Sequence, residues 1–465
     1  MVRAFSWLLR EKYERRTRAT DPLTRNAICD IRFRPDGKHH FENSKGFCKN
    51  YEFLKGLCQM KWEKYHTVWC ILIFGWITNY MVRASLSPLL LPILQEFKLT
   101  YAEAGILATA FFYAYTFMQL PAGQLGDRFG RKAVLILCSS WWGLMSFLTG
   151  LTHSFHSLFF FRFLTGIGEG AYFSNDRPII AAYTPLAKRG LGQGVSFIGL
   201  GTGMFIGISL AGWISDLWGW RSVFILYAFP PFLASFLIYR FIQEPPKQNE
   251  AQRVGKKISY SSILKSRDLW LLYLGGIPGS YALWVLGTWA PAIFKEIGVE
   301  SLAHASFFSS LLGISAIPGL AVTGWVSDRL ARGDKGRKGL IAMEFFLMAL
   351  FMMLLGYGLE VKMNIALYVF LFFMAGFFIW GHWAAFYALL PDMVPYEILG
   401  TTFGLTNTIH FLGSLLAPWT TGWVKDVTAS FSWGLYLSAL FSTLGGILIF
   451  SVRPSFVFGR ERPIS

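Results

Sequence analysis

Four ionisable side chains stand in stretches whose apolar composition ought to exclude them. Arg83 follows Asn79-Tyr80-Met81-Val82 past the middle of one apolar run, and Arg162, Glu169 and Asp176 recur at intervals of seven residues in another. Inside a membrane such a group is costly unless it is paired or hydrated, so each is a functional candidate. Seven residues are close to two helical turns. The three therefore share one face, with Arg162 toward the outside, Glu169 near half depth and Asp176 toward the cytoplasm. An arginine keeps its charge and suits holding an anion, whereas a carboxylate in a dry site can collect a proton on one side and release it on the other. The combination points to an anion carried with a proton, with Glu169 and Asp176 as the proton candidates. The structural alternative is a set of buried ion pairs that only fix helix packing. Arg177, about 100° round the helix from Asp176, either reaches toward the surface or pairs with it.

Spanning helices must hold these groups, and the composition supplies them. Of 465 residues, 54% are hydrophobic and 15% charged, against about a quarter charged in soluble domains, and mean hydropathy is positive. The formal charge of +16 sits at the ends and in alternate loops, the habit of cytoplasmic loops rather than of a base-reading surface, so no nucleic acid partner is expected. Apolar runs long enough to cross a hydrocarbon core lie near 67–94, 102–123, 132–152, 157–184, 191–216 and 221–242, then near 268–295, 303–330, 339–359, 363–391, 399–424 and 429–452. Residues 243–267, with Pro245-Pro246, Lys256-Lys257 and Lys265, read as a cytoplasmic linker. The chain is thus expected to be an all-α integral membrane protein of twelve spans in two pseudo-symmetric bundles, 67–242 and 268–453. Residues 1–66 and 454–465 form cytoplasmic ends.

A duplication supports the two halves. Gly123-Gln-Leu-Gly126-Asp127-Arg128-Phe-Gly130-Arg131-Lys132 returns, degraded, as Gly324-Trp-Val-Ser-Asp328-Arg329-Leu-Ala-Arg332. Gly123 and Gly126 allow a close helix approach, Asp127 can pair with Arg131 four residues on, and the basic residues hold the turn at the cytoplasmic face. Gly123, Asp127, Arg128, Arg131, Asp328 and Arg329 are the candidates for a conformational gate. In span 5, Gly199, Gly203 and Gly207 form a stripe expected to serve packing; Trp218 and Trp220 suit an interfacial belt. The amino-terminal segment is either a surface or regulatory tail or a disordered leader. The charged lead-in at Met60 to Tyr65 resembles a start, so residues 1–59 are not expected to be needed for transport. Cys29, Cys48, Cys58, Cys70 and Cys138 match no zinc spacing and no disulfide framework, so neither metal nor cofactor is expected.

The second half offers softer candidates: Tyr281, Trp284 and Trp289 in span 7, His382, Trp383 and Tyr387 in span 10, and Asn407 and His410 in span 11. The histidines are expected to be packing residues rather than ligands, and Glu344 is expected near the cytoplasmic end of span 9. A membrane enzyme would need clustered catalytic groups at an aqueous boundary, and the sequence has none.

With those residues in view, the chain from about Thr67 to Arg453 resembles the major facilitator superfamily of secondary transporters, in the turn at Gly123 to Lys132 and in Arg162-x-x-x-Gly166 of span 4. Within it, Asn79-Tyr80-x-x-Arg83, Arg162-Phe-Leu-Thr-Gly166-Ile-Gly-Glu169-Gly and Trp218-Gly-Trp220-Arg221-x-x-Phe224 resemble the anion:cation symporter family. The resemblance implies two six-helix bundles that rock about a central cavity. It also implies binding of the substrate anion by Arg83, and binding and proton coupling by Arg162 and Glu169. Asn79, Tyr80, Tyr281, Trp284, Trp383, Tyr387 and Asn407 are the further substrate-binding candidates. The expected partners are a small organic anion (a carboxylate or sugar acid), a proton or other coupling cation, and membrane lipid. The expected form is a monomer in the plasma membrane. Two features depart from the family: Val82 stands where many members have an aspartate, and the Asp176-Arg177 pair is unusual. The alternatives are a proton-driven exporter of drugs or amphipathic lipids, including a Spinster-like carrier, and a sensor on the same fold. Exporters often have a Gly-Pro pair in span 5, which has no proline between Gly190 and Gly219 here.

Overall fold

The computed structural model describes residues 62–185, 188–244, 264–330, 336–394 and 396–453. All but Trp62 belong to one compact unit that begins at Glu63. The expectations for the amino-terminal segment up to 61, most of the linker (245–263), Arg332 in the second basic turn, and the tail from 454 lie outside the described residues.

The helices make twelve crossings. Span 1 is Lys64–Ala84 continued by Leu86–Phe97, span 2 Tyr101–Phe129, span 3 Arg131–Gly150 and span 4 Phe155–Tyr183. Span 5 is Arg189–Ser196 with Ile198–Trp218, span 6 Trp220–Tyr227 with Phe229–Phe241, and span 7 Arg267–Gly275 with Ile277–Glu296. Spans 8 to 12 are Leu302–Leu330, Gly336–Glu360, Ile365–Met393, Tyr396–Thr428 and Ser432–Phe450. Among the described residues, nine of these crossings are long and apolar enough to span a membrane on composition alone. Spans 2, 4 and 11 fall short because they carry polar and charged residues.

Proline explains three of the four breaks. In span 1 Pro88 lacks an N–H and its ring crowds the carbonyl of Ala84, so the helix yields at Ser85; Pro230-Pro231 and Pro278 act alike just after Ala228 and Gly276. The basic turn is shorter than the sequence suggests. Span 2 runs on through Gly123 to Phe129, and the reversal is made by Gly130 alone, at φ +96°, a left-handed conformation that costs glycine little. Gly126 is needed, because a Cβ there would collide with the Asn175 amide; Gly123 is not, its nearest neighbour being Ser174 Cβ at 3.9 Å.

Packing repeats between the halves. Span 2 lies on span 4 as span 8 lies on span 10, span 1 on 5 as 7 on 11, and span 3 on 6 as 9 on 12. The halves meet through the pairs 5 with 8 and 2 with 11, which the same symmetry exchanges. The glycine stripe of span 5 faces span 1: a Cβ on Gly203 would lie 2.5 Å from the Ile77 carbonyl oxygen. On the other side of span 5, a Cβ on Gly201 would lie 2.5 Å from the Gly313 carbonyl oxygen. At these two glycines the backbones of the halves approach each other directly. Gly313→Val is expected to force spans 5 and 8 apart at a cost of roughly 1–3 kcal/mol. Transport should fall in a protein that still elutes as a single folded species by size exclusion, and normal transport would show that the crossing does not control the motion.

Two aspartates close the end of the bundle remote from the termini. Asp426, at the end of span 11, accepts from the N–H groups of Tyr101 (2.9 Å) and Ala102 (2.8 Å) at the start of span 2. Asp216, at the end of span 5, accepts from Ala303 N–H (3.0 Å) at the start of span 8. Each half therefore caps a helix of the other, where unsatisfied N–H groups favour a carboxylate.

Candidate functional site

Spans 1, 2 and 4 build the site. Arg83 is 3% and Glu169 0% exposed. The Nε of Arg83 donates to Glu169 Oε2 at 3.0 Å, and an Nη donates to Asn79 Oδ1, one turn back, at 2.9 Å. The guanidinium lies over the rings of Tyr80, Phe111 and Tyr115 at 4.5, 4.9 and 4.4 Å, contacts that favour a desolvated cation. The pairing is incomplete. The other Nη of Arg83, Oε1 of Glu169 and the amide nitrogen of Asn79 are buried with no hydrogen-bond partner among the described residues.

Arg162 is buried at 2% exposure and, among the described residues, has no carboxylate at ion-pair distance. One Nη reaches the Val82 carbonyl at 3.4 Å, Nε has no partner, and the rings of Phe111 and Phe224 stand 5.7 Å away. The shared helix face explains this. Two turns separate Arg162 from Glu169 by roughly 10 Å along the axis, so the carboxylate takes its partner from span 1. Val82, the departure from the family pattern, contributes its backbone carbonyl.

A narrow cavity of about 20 Å³ runs past both arginines, lined also by Phe111, Phe112, Trp284 and Thr288. Trp284 closes one side, its ring 4.5 Å from Phe112. Of the other candidates in the second half, Tyr281 turns away, its hydroxyl 2.8 Å from Thr420 Oγ1 and its ring against Phe441. Trp289 donates to the Pro418 carbonyl at 3.0 Å and packs with Tyr101 near the remote end. Trp383 stacks on Tyr387, Tyr387 donates to Asn407 Oδ1 at 3.1 Å, and Asn407 donates to Gln119 Oε1 of span 2 at 3.2 Å. That relay crosses between the halves.

Asp176 forms a separate cluster. It holds Arg177 through two bonds, at 3.0 and 2.8 Å, and receives the indole N–H of Trp76 at 2.7 Å, while Arg177 continues to Ser196 Oγ at 2.6 Å. Its carboxylate is fully engaged, the geometry of the packing alternative. His382 and His410 are buried against the break in span 7, where Gly279 and Gly276 leave room for their rings, and Glu344 accepts from Thr323 Oγ1 at 2.5 Å.

The turn residues tie helices within each half. Arg131 pairs with Asp127 at 2.5 Å and donates to the Ser174 carbonyl of span 4 at 3.0 Å. In the second half the role falls to Arg337, which pairs with Asp328 (3.4 Å) and Asp392 (2.6 Å) and donates to the Ala388 carbonyl at 2.9 Å. Arg128 is exposed beside Phe129, and Arg329 lies over the Trp325 ring at 3.5 Å. One expectation fails: Trp218 is exposed as an interfacial residue should be, but Trp220 is 4% exposed and donates to Glu96 Oε2 at 2.8 Å. The sequence reading missed Phe111, Tyr115 and Gln119. Their four-residue spacing, which sets them on one face of span 2, was the available signal.

A family model described as Major Facilitator Superfamily matches residues 72–418. The probable sulfoacetate transporter of Cupriavidus necator is 26% identical over 415 residues, covering 84% of this chain and 94% of that protein. The probable galactarate/D-glucarate transporter of Escherichia coli K12 is 25% identical over 407 residues, covering 79% of this chain and 90% of that protein. Among solved structures, a bacterial homolog of the human lysosomal transporter Spinster, inward-facing and unoccupied, superposes with a TM-score of 0.73 at 18% identity, covering 87% of this chain and all of that one.

Proposed function

The chain belongs to the Major Facilitator Superfamily, and we propose that this multi-pass membrane protein is a secondary active carrier of a small organic anion, moved with a proton by alternating access. The observation that carries the reading is Arg162, a cation 2% exposed and, among the described residues, without a carboxylate at ion-pair distance, on the wall of the cavity that Arg83 also lines. A buried charge left unpaired is strongly unfavourable, and an anion lodged between the two guanidiniums relieves it. Relatives named as carriers of sulfoacetate and of galactarate and glucarate favour this reading over an exporter of drugs or lipids.

Glu169 couples the anion to the proton by competition. While ionised it occupies Arg83; once protonated it releases that guanidinium to the substrate, so proton and anion each strengthen the binding of the other. Asp176, saturated by Arg177 and Trp76, serves packing in this scheme. The bundles 67–242 and 268–453 rock as units, each held by its basic turn: Gly126, Asp127 and Arg131 in the first, Asp328 and Arg337 in the second. With both termini in the cytoplasm, the end closed by Asp216 and Asp426 is the outer one, and the conformation faces inward. The working form is a monomer in the plasma membrane.

The test is Arg83→Ala. A screen of carboxylates, sulfonates and sugar acids by thermal shift identifies an anion that stabilises the wild type, and the variant is expected to lose it. Each charge-assisted hydrogen bond removed is worth about 1.5–3 kcal/mol, or more than tenfold in affinity. Unchanged binding would take Arg83 out of the site.

A further inference from the structure

The end of the bundle remote from the termini holds carboxylates of two kinds. Glu96, at the end of span 1, accepts from Arg221 at 2.6 Å and from the Trp220 indole N–H at 2.8 Å, and Glu296, at the end of span 7, accepts from Lys425 at 2.7 Å. Both ties stay inside one half. Among the described residues every ion pair does so. Asp216 and Asp426 differ. They are exposed, neither has a cation at ion-pair distance among the described residues, and each reaches across the seam. Asp426 takes the first two N–H groups of span 2, and Asp216 takes that of Ala303 at the start of span 8.

We propose that Asp216 and Asp426 are paired latches of the outer gate, released together when the halves part, and that their combined strength sets how often the empty carrier opens outward. Along the two seams the halves touch through glycine. Gly105 of span 2 faces the Pro418 carbonyl of span 11, and Gly212 of span 5 faces Ser306 of span 8, each too closely for a Cβ. Such contacts are forfeited within an ångström of separation, so holding the ends together keeps the whole seam closed. A carboxylate on a helix start suits a contact made and broken once per cycle. When the halves part, water meets both the N–H groups and the carboxylate; a desolvated ion pair would cost far more to separate.

The test reads opening directly. Thr109, 3% exposed in the seam between spans 2 and 11, is changed as Thr109→Cys in the full-length chain, and its reaction with a membrane-impermeant maleimide added outside intact cells is timed. The chain without that cysteine gives the background, and Ser87→Cys, in the seam between spans 1 and 7, reports the same opening at a second place. Loss of one helix cap is worth about fivefold in an equilibrium. Asp216→Ala is therefore expected to speed labelling about fivefold, and Asp216→Ala with Asp426→Ala more than tenfold. Asp216→Asn, whose amide oxygen can still accept from Ala303, should stay near the parent rate, as should Glu96→Ala, which breaks a tie inside the first half. Asp216 lies on the other seam, so a cap that only fixed its own helix end could not reach Thr109. Asp216→Ala labelled at the parent rate would overturn the latch, and so would equal acceleration by Glu96→Ala. Either result leaves anion binding, read by thermal shift, untouched, which tells failure of the latch apart from failure of the carrier reading on which it rests.

Discussion

Arg162→Met is expected to abolish the thermal shift produced by the transported anion and, without anion, to raise the melting temperature. The two effects have one cause. Among the described residues, Arg162 is desolvated with no carboxylate at ion-pair distance, its hydrogen-bond acceptor being the Val82 carbonyl at 3.4 Å. Methionine fills similar space and removes the charge. Replacing buried ionic groups by apolar ones of like volume has stabilised proteins on the order of 1–4 kcal/mol. Binding meanwhile loses a cation that the anion needs, more than tenfold in affinity. Arg83→Ala should behave oppositely in the empty protein, because it strands Glu169 without its partner; breaking a buried pair in that way costs about 3–5 kcal/mol. Melting curves of the two variants, with and without anion, check this. A fall in stability for Arg162→Met would mean that Arg162 has a counter-charge and is structural.

Glu169→Gln is the second large effect. Glutamine can still accept from Arg83, so the fold is expected to survive, but it cannot release a proton. Accumulation driven by a pH gradient should vanish, whereas exchange of labelled for unlabelled anion continues. With one proton per cycle, a gradient of one pH unit supports about tenfold accumulation, and that factor is what the variant loses. The sign of the pH dependence follows from competition for Arg83. In the wild type, anion binding is tighter on the acidic side, where Glu169 is neutral, and weakens as Glu169 ionises; in the variant it is level across that range. Uphill uptake at the wild-type ratio would end the coupling role of Glu169.

Much of this was legible from residue type and spacing, and the misreadings have physical reasons. Twelve crossings follow from apolar runs of spanning length, although spans 2, 4 and 11 are the least apolar because they bear polar and charged groups. The seven-residue interval put Arg162 and Glu169 on one face. It could not say that a carboxylate two turns away is beyond reach and would be claimed by Arg83, since that depends on how spans 1 and 4 pack. Asp176 and Arg177 point apart at the backbone, yet the long arginine side chain curls back to make two bonds. Tyr281 and Trp284 are three residues apart on span 7, nearly one turn; the small angular offset is enough to send one toward Thr420 and the other into the cavity. Trp220 was misplaced because its partner, Glu96, is distant in sequence.

The break after Arg83 has a consequence for how the carrier senses its cargo. Beside the bend that Pro88 makes in span 1, the Val82 carbonyl accepts from the Ser85 hydroxyl at 2.8 Å and from the guanidinium of Arg162 at 3.4 Å. That carbonyl is a weak stand-in for an anion, and a true one should draw Arg162 off it. The Ser85 hydroxyl would then be the side-chain donor left on that carbonyl, one turn from Arg83 on the same helix. Cargo and helix geometry are thereby placed within a single turn of one another rather than at opposite ends of the bundle.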